Sequence, residues 1–265
     1  MPHWFDIGIN LPDKRLSLPD VIEHAVSKDV TGIILIGTDV QQSIEAHSIA
    51  QQFPKTLFST AGIHPHNAKD APSDYIQQLS QLASNNKIVA IGECGLDFNR
   101  NFSPPATQLR IFEQQLELAC ELQLPVYLHE RDAFTEQLRL LKTYSSRLVG
   151  GVVHCFTGSI EQMEAYLELG FYIGITGWVC DPKRGESLRE AVLRLPSDRM
   201  LLETDSPYLF PKTLKAKSRN NQPANIPHIA EFIANLRNQE LQDLQQSCWQ
   251  NTMDLFAIGA NFEND

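Results

Sequence analysis

The pattern from which the fold is predicted is clearest in the stretch Ile88-Val89-Ala90-Ile91-Gly92-Glu93-Cys94-Gly95-Leu96-Asp97. Its first half is a short run of apolar and β-branched residues, which has the length of a buried strand and is too short for an independent helix. Glu93 follows directly, so the predicted strand ends on a carboxylate. The same succession, an apolar run and then a glycine or polar residue, recurs along the chain.

Seven other strand candidates alternate with stretches of helical periodicity. The clearest helix is predicted from Pro104 to Leu122, with Ser103 as its N-cap. Ser159-Ile160-Glu161-Gln162 is typical of a capping box that opens another helix, and residues 226–256 are also predicted to be helical. The predicted strands are Trp4–Ile9, Gly32–Ile36, Leu57–Ile63, Ile88–Gly92, Val126–Leu128, Val149–Val153, Phe171–Ile175 and Met200–Leu202.

The spacing of these units predicts the fold class. Eight strand–helix units in 265 residues average roughly 33 residues each, which favours an α/β fold of the (β/α)8 TIM barrel type. A doubly wound open sheet is the alternative, but the first strand carries no Gly-rich phosphate loop. Because no linker-like Ser/Gly tract divides the sequence, residues 1–265 are expected to form a single domain.

Composition places the chain among ordinary globular proteins. Hydrophobic residues make up 42% and charged residues 20%, which excludes collagen-like, low-complexity and disordered classes. The chain lacks an apolar run of about 18 residues and a secretion-type N-terminus, and its five cysteines are scattered. We therefore predict a cytoplasmic protein with reduced thiols and no membrane segment. The net charge of −10 by itself argues against a nucleic-acid partner, because a negative field repels phosphates.

Titratable side chains follow five of the predicted strands. In a barrel the carboxyl ends of the strands meet at one mouth, so these side chains are expected to converge there. Imidazoles and carboxylates together suit Mg²⁺, Mn²⁺, Zn²⁺ or iron. We predict a divalent ion held by Glu93, His129 and His154. Asp205 is the candidate general base, and His64 the candidate contact to a substrate oxygen or to the metal.

The segments around these residues resemble the TatD family of metal-dependent deoxyribonucleases, within the amidohydrolase-like barrels. They follow in order across nearly the whole chain, which makes the resemblance specific. It implies that Glu93, His129 and His154 are metal ligands and that Asp205 is a ligand or base. It also implies a Mg-dependent 3′–5′ exonuclease with a role in DNA repair or degradation. The segments are Thr60-Ala61-Gly62-Ile63-His64-Pro65-His66, Ile91-Gly92-Glu93-Cys94-Gly95-Leu96-Asp97, Leu128-His129, Arg131-Asp132, His154-Cys155-Phe156-Thr157-Gly158 and Glu203-Thr204-Asp205-Ser206-Pro207-Tyr208.

The first strand departs from the pattern that most of this family shows. That pattern is Asp-x-His-x-His, which gives two imidazoles to one metal, whereas this chain has Asp6-Ile7-Gly8-Ile9-Asn10. Glycine offers no ligand, and an amide oxygen is a weaker ligand than imidazole for transition metals. We therefore expect one firmly bound ion, Mg²⁺ with Mn²⁺ or Zn²⁺ as alternatives, and a second ion that arrives with the substrate.

Basic and aromatic residues near the expected mouth predict contacts to single-stranded DNA or RNA ends. Arginine binds phosphate through a planar fork, and an indole ring stacks on a base. Ser206–Ala230 has no acidic residue and contains three lysines and one arginine, so a basic segment follows Asp205 directly. No obligate protein partner is evident. The candidate substrate-binding residues are His66, Arg100, Arg131, Trp178, Lys215 and Lys217.

Two other functions stay open from the residues alone. The same metal-activated water attacks an amide or ester, such as an aminoacyl linkage on tRNA, as well as a phosphodiester. A non-catalytic interaction protein that keeps the barrel is the third hypothesis. The missing first-strand histidines are its only support.

Overall fold

Within residues 3–258, which the computed structural model describes, eight parallel strands form one sheet whose order, β1 to β8, is their order along the chain. A bridge between Ile9 and Ser206 joins β1 to the segment after β8. A parallel sheet closed in this way, with helices between its strands, is a (β/α)8 barrel, so the predicted fold is confirmed. The strands are β1 (Trp4–Ile9), β2 (Val30–Leu35), β3 (Leu57–Ala61), β4 (Ile88–Asp97), β5 (Val126–Arg131), β6 (Gly151–Val153), β7 (Tyr172–Ile175) and β8 (Met200–Leu202).

The helices follow the strands as a barrel requires, with two consecutive helices after β8. In the described part of the chain, no helix has both the length and the apolar character needed to cross a membrane. The helices are α1 (Leu18–Val26), α2 (Val40–Gln52), α3 (Tyr75–Ala83), α4 (Pro105–Leu122), α5 (Phe134–Tyr144), α6 (Ile160–Glu168), α7 (Glu186–Arg194), α8 (Ile226–Arg237) and α9 (Leu241–Phe256).

β4 and β5 continue past their predicted ends. β4 ends at Asp97 and β5 at Arg131, and these two residues pair across the parallel ladder. Backbone hydrogen bonding between the two strands therefore extends beyond the apolar runs from which their ends were predicted. As a consequence, Glu93 and His129 lie inside strands rather than directly after them. The other six strands begin and end within two residues of the prediction.

The helix starting at Pro105 is capped differently from the prediction, because Ser103 is not its N-cap. Pro104 occupies that position. Ser103 is buried, and its hydroxyl donates to His66 O at 3.0 Å and accepts from Lys69 N–H at 3.0 Å. The side chain thus ties the segment after β4 to the segment after β3.

The other two helix predictions had opposite outcomes. Residues 226–256 form two helices, because Asn238 adopts a left-handed conformation, φ 49°, that ends α8. The capping box is confirmed at the start of α6, where Gln162 N–H donates to Ser159 Oγ at 3.3 Å and Ser159 N–H donates to Gln162 Oε1 at 2.9 Å.

The chain divides into two compact units. Within the described residues, the first unit falls in Met1–Ile34, Cys155–Glu164 and Ile173–Asp265, and the second in Leu35–His154 and Ala165–Tyr172. In each unit the strands are almost wholly buried, as expected of parallel strands covered on both faces. The organisation of residues 1–265 as a single domain stays a prediction.

Candidate metal centre

A single carboxylate oxygen, Oε1 of Glu93, is shared by three imidazole rings. His129 Nδ1 and His154 Nε2 each lie 2.9 Å from this oxygen, and His64 Nε2 lies 3.3 Å from it. Glu93, His64 and His154 are buried, and His129 is half-buried. The second unit thus brings together four of the five residues predicted to converge, namely His64, Glu93, His129 and His154.

Two glycines allow β4 to approach β5 closely on either side of Glu93. Gly92 has φ 142° and Gly95 has φ 137°, conformations that L side chains rarely adopt. A Cβ at Gly92 would lie 2.2 Å from Tyr127 O, and a Cβ at Gly95 would lie 1.9 Å from His129 O. Neither position therefore accepts a side chain without a shift of the backbone.

Charge and burial act against each other at this centre. Burial by itself raises the pKa of Glu93, but the surrounding imidazoles outweigh it and lower the pKa well below its usual range. Burial lowers the pKa of His64 to about 4. It also lowers the pKa of His129, but the carboxylates of Asp97 and Glu93 outweigh it and the net shift is upward. An ionised carboxylate therefore lies among the rings.

Hydrogen bonds on the far side of two rings orient them. His64 Nδ1 accepts the backbone N–H of His66 at 3.0 Å. Because a backbone amide can only donate, neutral His64 carries its proton on Nε2, the nitrogen that faces Glu93. His154 Nδ1 lies 3.3 Å from the Tyr127 hydroxyl, so its Nε2 is directed at Glu93.

The chemistry and spacing of these donors fit a divalent cation. The ligand atoms of His64, Glu93 and His129 lie within 4.8 Å of one another. Imidazole nitrogen and carboxylate oxygen bind Zn²⁺ and Mn²⁺, and carboxylate also suits Mg²⁺. His154 Nε2 lies 2.9 Å from Glu93 Oε1, so this imidazole adjoins the same group.

A second buried carboxylate, Asp97, adjoins the centre and is not among the residues predicted for the site. Its Oδ2 lies 2.6 Å from His66 Nε2 and 3.6 Å from His129 Nε2. Its Oδ1 accepts the backbone N–H groups of Asn99 at 3.0 Å and Arg100 at 2.7 Å. Burial raises the pKa of Asp97, but these donors and rings together hold it far below its usual range. A carboxylate beside a metal-binding imidazole typically sets the ring's orientation and tautomer.

The period of an extended strand was the signal that could have identified Asp97. Side chains four residues apart on a strand face the same side, so Glu93 and Asp97 share a face of β4. The predicted strand stopped at Gly92 because the run that follows contains glycine and polar residues, which are depleted in strands.

Asp205 lies after β8 in the first unit, half-buried and with a left-handed φ of 53°. Asn10 Nδ2 donates to Asp205 Oδ1 at 2.9 Å, and the Asp205 N–H donates to Gly8 O at 2.9 Å. Gly8 and Asn10 stand where the first-strand pattern has histidine. Both therefore form hydrogen bonds with Asp205. In the same unit, Cys155 N–H donates to Glu203 Oε1.

The remaining predicted site residues are distributed over both units. In the second, His66 adjoins the metal centre, while Arg100 and Arg131 are exposed near the carboxyl ends of β4 and β5. In the first, Trp178 is half-buried beneath Arg184, whose guanidinium carbon lies 4.2 Å from the ring centre. Lys215 and Lys217 are exposed in the loop after β8.

A (β/α)8 fold with an imidazole–carboxylate cluster on its strands is typical of metal-dependent hydrolases. The family model for TatD related DNase matches residues 5–257. The chain therefore belongs to the TatD-related DNase family. A relative from Erwinia billingiae (strain Eb661), named 3′-5′ ssDNA/RNA exonuclease TatD, is 45% identical over 260 residues, which are 97% of this chain and 100% of the relative.

Two solved structures share this fold over nearly the whole chain. YjjV, a TatD homolog from Escherichia coli K12, is 28% identical with a TM-score of 0.87, covering 96% of this chain and 98% of that one. An uncharacterized amidohydrolase from Saccharomyces cerevisiae has a TM-score of 0.83, covering 97% of this chain and 100% of that one; at 21% identity it shows the fold alone. The (β/α)8 barrel is thus confirmed.

Proposed function

We propose that this protein is a divalent-metal-dependent nuclease that removes nucleotides from the 3′ ends of single-stranded DNA and RNA. The observation that carries the proposal is the convergence of three imidazoles on the buried carboxylate of Glu93. Membership of the TatD-related DNase family and the names of close relatives support the phosphodiester as the bond and 3′–5′ as the polarity.

Glu93, His129 and His154 would hold the ion. A divalent cation supplies positive charge that polarises a phosphoryl oxygen and makes a water molecule more acidic. Mg²⁺ is proposed, with Mn²⁺ and Zn²⁺ as alternatives, as one firmly held ion and a second that enters with the substrate phosphate. His129 is suited to this role because its Nε2 lies near Asp97, which leaves Nδ1 toward Glu93.

His64 would act as a hydrogen-bond donor rather than as a ligand. Its Nδ1 accepts a hydrogen bond from a backbone amide, so the proton of the neutral ring is on Nε2. This Nε2–H can donate to a phosphoryl oxygen that gains negative charge during hydrolysis. Asp205 is proposed as the general base, an assignment that rests on the family resemblance of Glu203–Tyr208. Asn10 orients this carboxylate through Oδ1.

Positive charge and aromatic surface would bind the nucleic acid. Arg100, Arg131, Lys215 and Lys217 are exposed and suited to phosphates, and Trp178 is suited to stacking on a base. We place the protein in the cytoplasm, with a role in DNA repair or degradation. The five cysteines are scattered along the sequence and none lies in a Cys-x-x-Cys pair, which supports that location.

Two substitutions at the centre test the function. In Glu93→Gln and His154→Ala, Mg²⁺-dependent release of nucleotides from a 3′-labelled single-stranded oligonucleotide should fall at least about 100-fold, because each removes a charge or lone pair from the ion. Chelation should abolish release by the unsubstituted protein, and adding back Mg²⁺, Mn²⁺ or Zn²⁺ in turn ranks the ions.

Glu121→Gln is the matched control, since Glu121 is exposed on α4. Circular dichroism melts check that each variant is folded. Equal release by all variants would refute the proposal. Hydrolysis of an aminoacyl ester with no nucleotide release would establish the alternative ester or amide hydrolase.

A further inference from the structure

An aromatic ring is exposed beside the candidate metal centre. Phe102 is 55% exposed, and its ring centre lies 4.7 Å from that of His66, at an interplanar angle of 67°. The His66 ring lies in turn 4.3 Å from the His64 ring. An exposed aromatic ring is a platform on which the flat face of a nucleobase can stack.

The loop that carries Phe102 is tied down on both sides of the ring. Asp97 Oδ1 accepts the N–H groups of Asn99 and Arg100, and Asn101 Nδ2 donates to Phe98 O at 2.6 Å. After Phe102, the Ser103 hydroxyl bonds His66 O. An aromatic side chain on an ordered loop binds a ligand with little loss of conformational entropy.

The hydrogen bond of His66 to Asp97 leaves its other ring nitrogen as an acceptor. Its Nε2 lies 2.6 Å from Oδ2 of Asp97, a carboxylate that is 1% exposed and can only accept from it. The neutral ring therefore carries its proton on Nε2, and Nδ1 is the acceptor. The His66 side chain is 29% exposed. A sugar hydroxyl is a donor that fits such an acceptor.

We propose that Phe102 and His66 form a subsite for the terminal nucleoside of a single strand. Phe102 stacks on the terminal base, and His66 Nδ1 accepts the hydrogen bond of the 3′-terminal hydroxyl. Asp97 is a positioning residue, which holds His66 in the tautomer that leaves Nδ1 as acceptor. This inference rests on the proposed exonuclease function and explains how a free end is recognised.

The stacking contact is tested with Phe102→Ala. On an oligonucleotide with an ordinary 3′-terminal nucleotide, kcat/KM should fall about 5- to 150-fold, the range for loss of one base–aromatic stack. On an oligonucleotide whose terminal nucleotide is abasic, the same substitution should have little effect. Val149→Ala is the control, because Val149 is an exposed apolar residue of the same unit, 51% exposed.

The hydroxyl contact is tested with His66→Phe, which keeps a ring and removes the acceptor. The unsubstituted protein should prefer a 3′-hydroxyl end over a 3′-deoxy end by about 2- to 10-fold, the value of one hydrogen bond. In His66→Phe the preference should disappear. A preference that survives in this variant contradicts the role of His66.

The role of Asp97 has a readout apart from activity. In ¹⁵N-histidine-labelled protein with Mg²⁺, NMR correlations of the His66 ring, assigned with His66→Phe, should show the proton on Nε2. In Asp97→Asn the amide donates instead, so the proton should move to Nδ1. Asp132→Asn is the control: Asp132 bonds the same loop through Asn99 Nδ2 at 2.6 Å and should leave the tautomer unchanged.

The outcomes separate the subsite from the function on which it rests. In one outcome the unsubstituted protein releases nucleotides while Phe102→Ala and Val149→Ala have the same kcat/KM on both the ordinary and the abasic oligonucleotide. That result refutes the subsite and leaves the nuclease function supported. A His66 proton on Nδ1 in the unsubstituted protein refutes the positioning role of Asp97. If no oligonucleotide is hydrolysed, the proposed function fails, and the subsite fails with it.

Discussion

At the scale of single residues, Asp6 is an acid held out of water in the first unit. It is fully buried, and its Oδ1 accepts the N–H groups of Gly8 at 3.2 Å and Thr204 at 2.9 Å. Its Oδ2 accepts the Thr204 hydroxyl at 2.5 Å. Burial nevertheless dominates, and it raises the pKa of Asp6 to about 8.

This shift predicts how stability depends on pH. Unfolded Asp has a pKa of about 3.9, so between roughly pH 4 and pH 8 the folded state binds a proton that the unfolded state has lost. Asp6 should therefore lower the free energy of unfolding by up to about 1.4 kcal/mol per unit as pH rises through that window. Asp6→Asn cannot ionise and keeps its acceptor oxygen, so it should remove this slope.

Urea unfolding of both proteins from pH 5 to pH 9 measures the slope. The difference in stability between Asp6→Asn and the unsubstituted protein should grow in favour of the variant toward high pH. Asp20→Asn, at an exposed position, should leave the slope unchanged. Parallel pH profiles for Asp6→Asn and the unsubstituted protein would contradict the prediction.

At the scale of elements, buried glutamines on α4 fasten the strand ends that lead into the site. Gln115 Oε1 accepts Ile63 N–H at 2.7 Å, and its Nε2 donates to Ile63 O at 3.0 Å. Gln108 does the same for Asp97, at 2.8 Å and 3.0 Å. Each amide replaces the ladder partners that the backbone lacks where a strand ends, directly before His64 and at Asp97.

Gln115→Leu should therefore destabilise the protein by about 2–4 kcal/mol, because it leaves a buried N–H and a buried C=O of Ile63 without their partner. Denaturant unfolding measures this loss. Gln77→Leu makes the same change on the exposed side of α3 and should alter stability by less than about 0.5 kcal/mol. Similar losses in the two variants would show that the side-chain change itself, and not the backbone contact, is responsible.

At the scale of the whole molecule, charge is unevenly distributed along an acidic chain. The net charge is −10, yet Ser206–Ala230 contains no acidic residue. Within that segment Lys212, Lys215 and Lys217 are exposed, and Lys212 pairs with Asp181 at 2.7 Å. An acidic protein can thus offer a local basic surface to phosphates, so the net charge alone does not exclude a nucleic-acid partner.

Reversing Lys215 and Lys217 to Glu should weaken binding of a single-stranded oligonucleotide and reduce its dependence on salt. If each lysine contacts one phosphate, the slope of log affinity against log salt should become less steep by about 1.4. Fluorescence anisotropy over a salt series measures it. Reversing Lys28 and Lys55, exposed lysines outside this segment, is the control, and an equal change there would assign the effect to net charge.

The sequence predicted the barrel because hydrophobic periodicity and strand length are local properties, and eight repeats of one unit leave few folds. It also predicted which side chains meet at the candidate site, since His64, Glu93, His129 and His154 follow apolar runs. It misplaced the end of β4, because the ladder with β5 extends through glycine and polar residues. The prediction of Ser103 as an N-cap was also wrong, because its hydroxyl forms a hydrogen bond with His66 O, 37 residues away in the chain.

Local sequence pattern was thus enough to predict the fold class and the residue types at the strand ends. Which nitrogen of each ring faces Glu93, and the pairing of Asp97 with His66, depend on the folded chain. These choices are made by hydrogen bonds between residues far apart in the chain, such as Glu93 and His154 at a separation of 61 residues. Periodicity records which side of a strand a residue faces, but only the packed chain supplies the partner that orients its side chain.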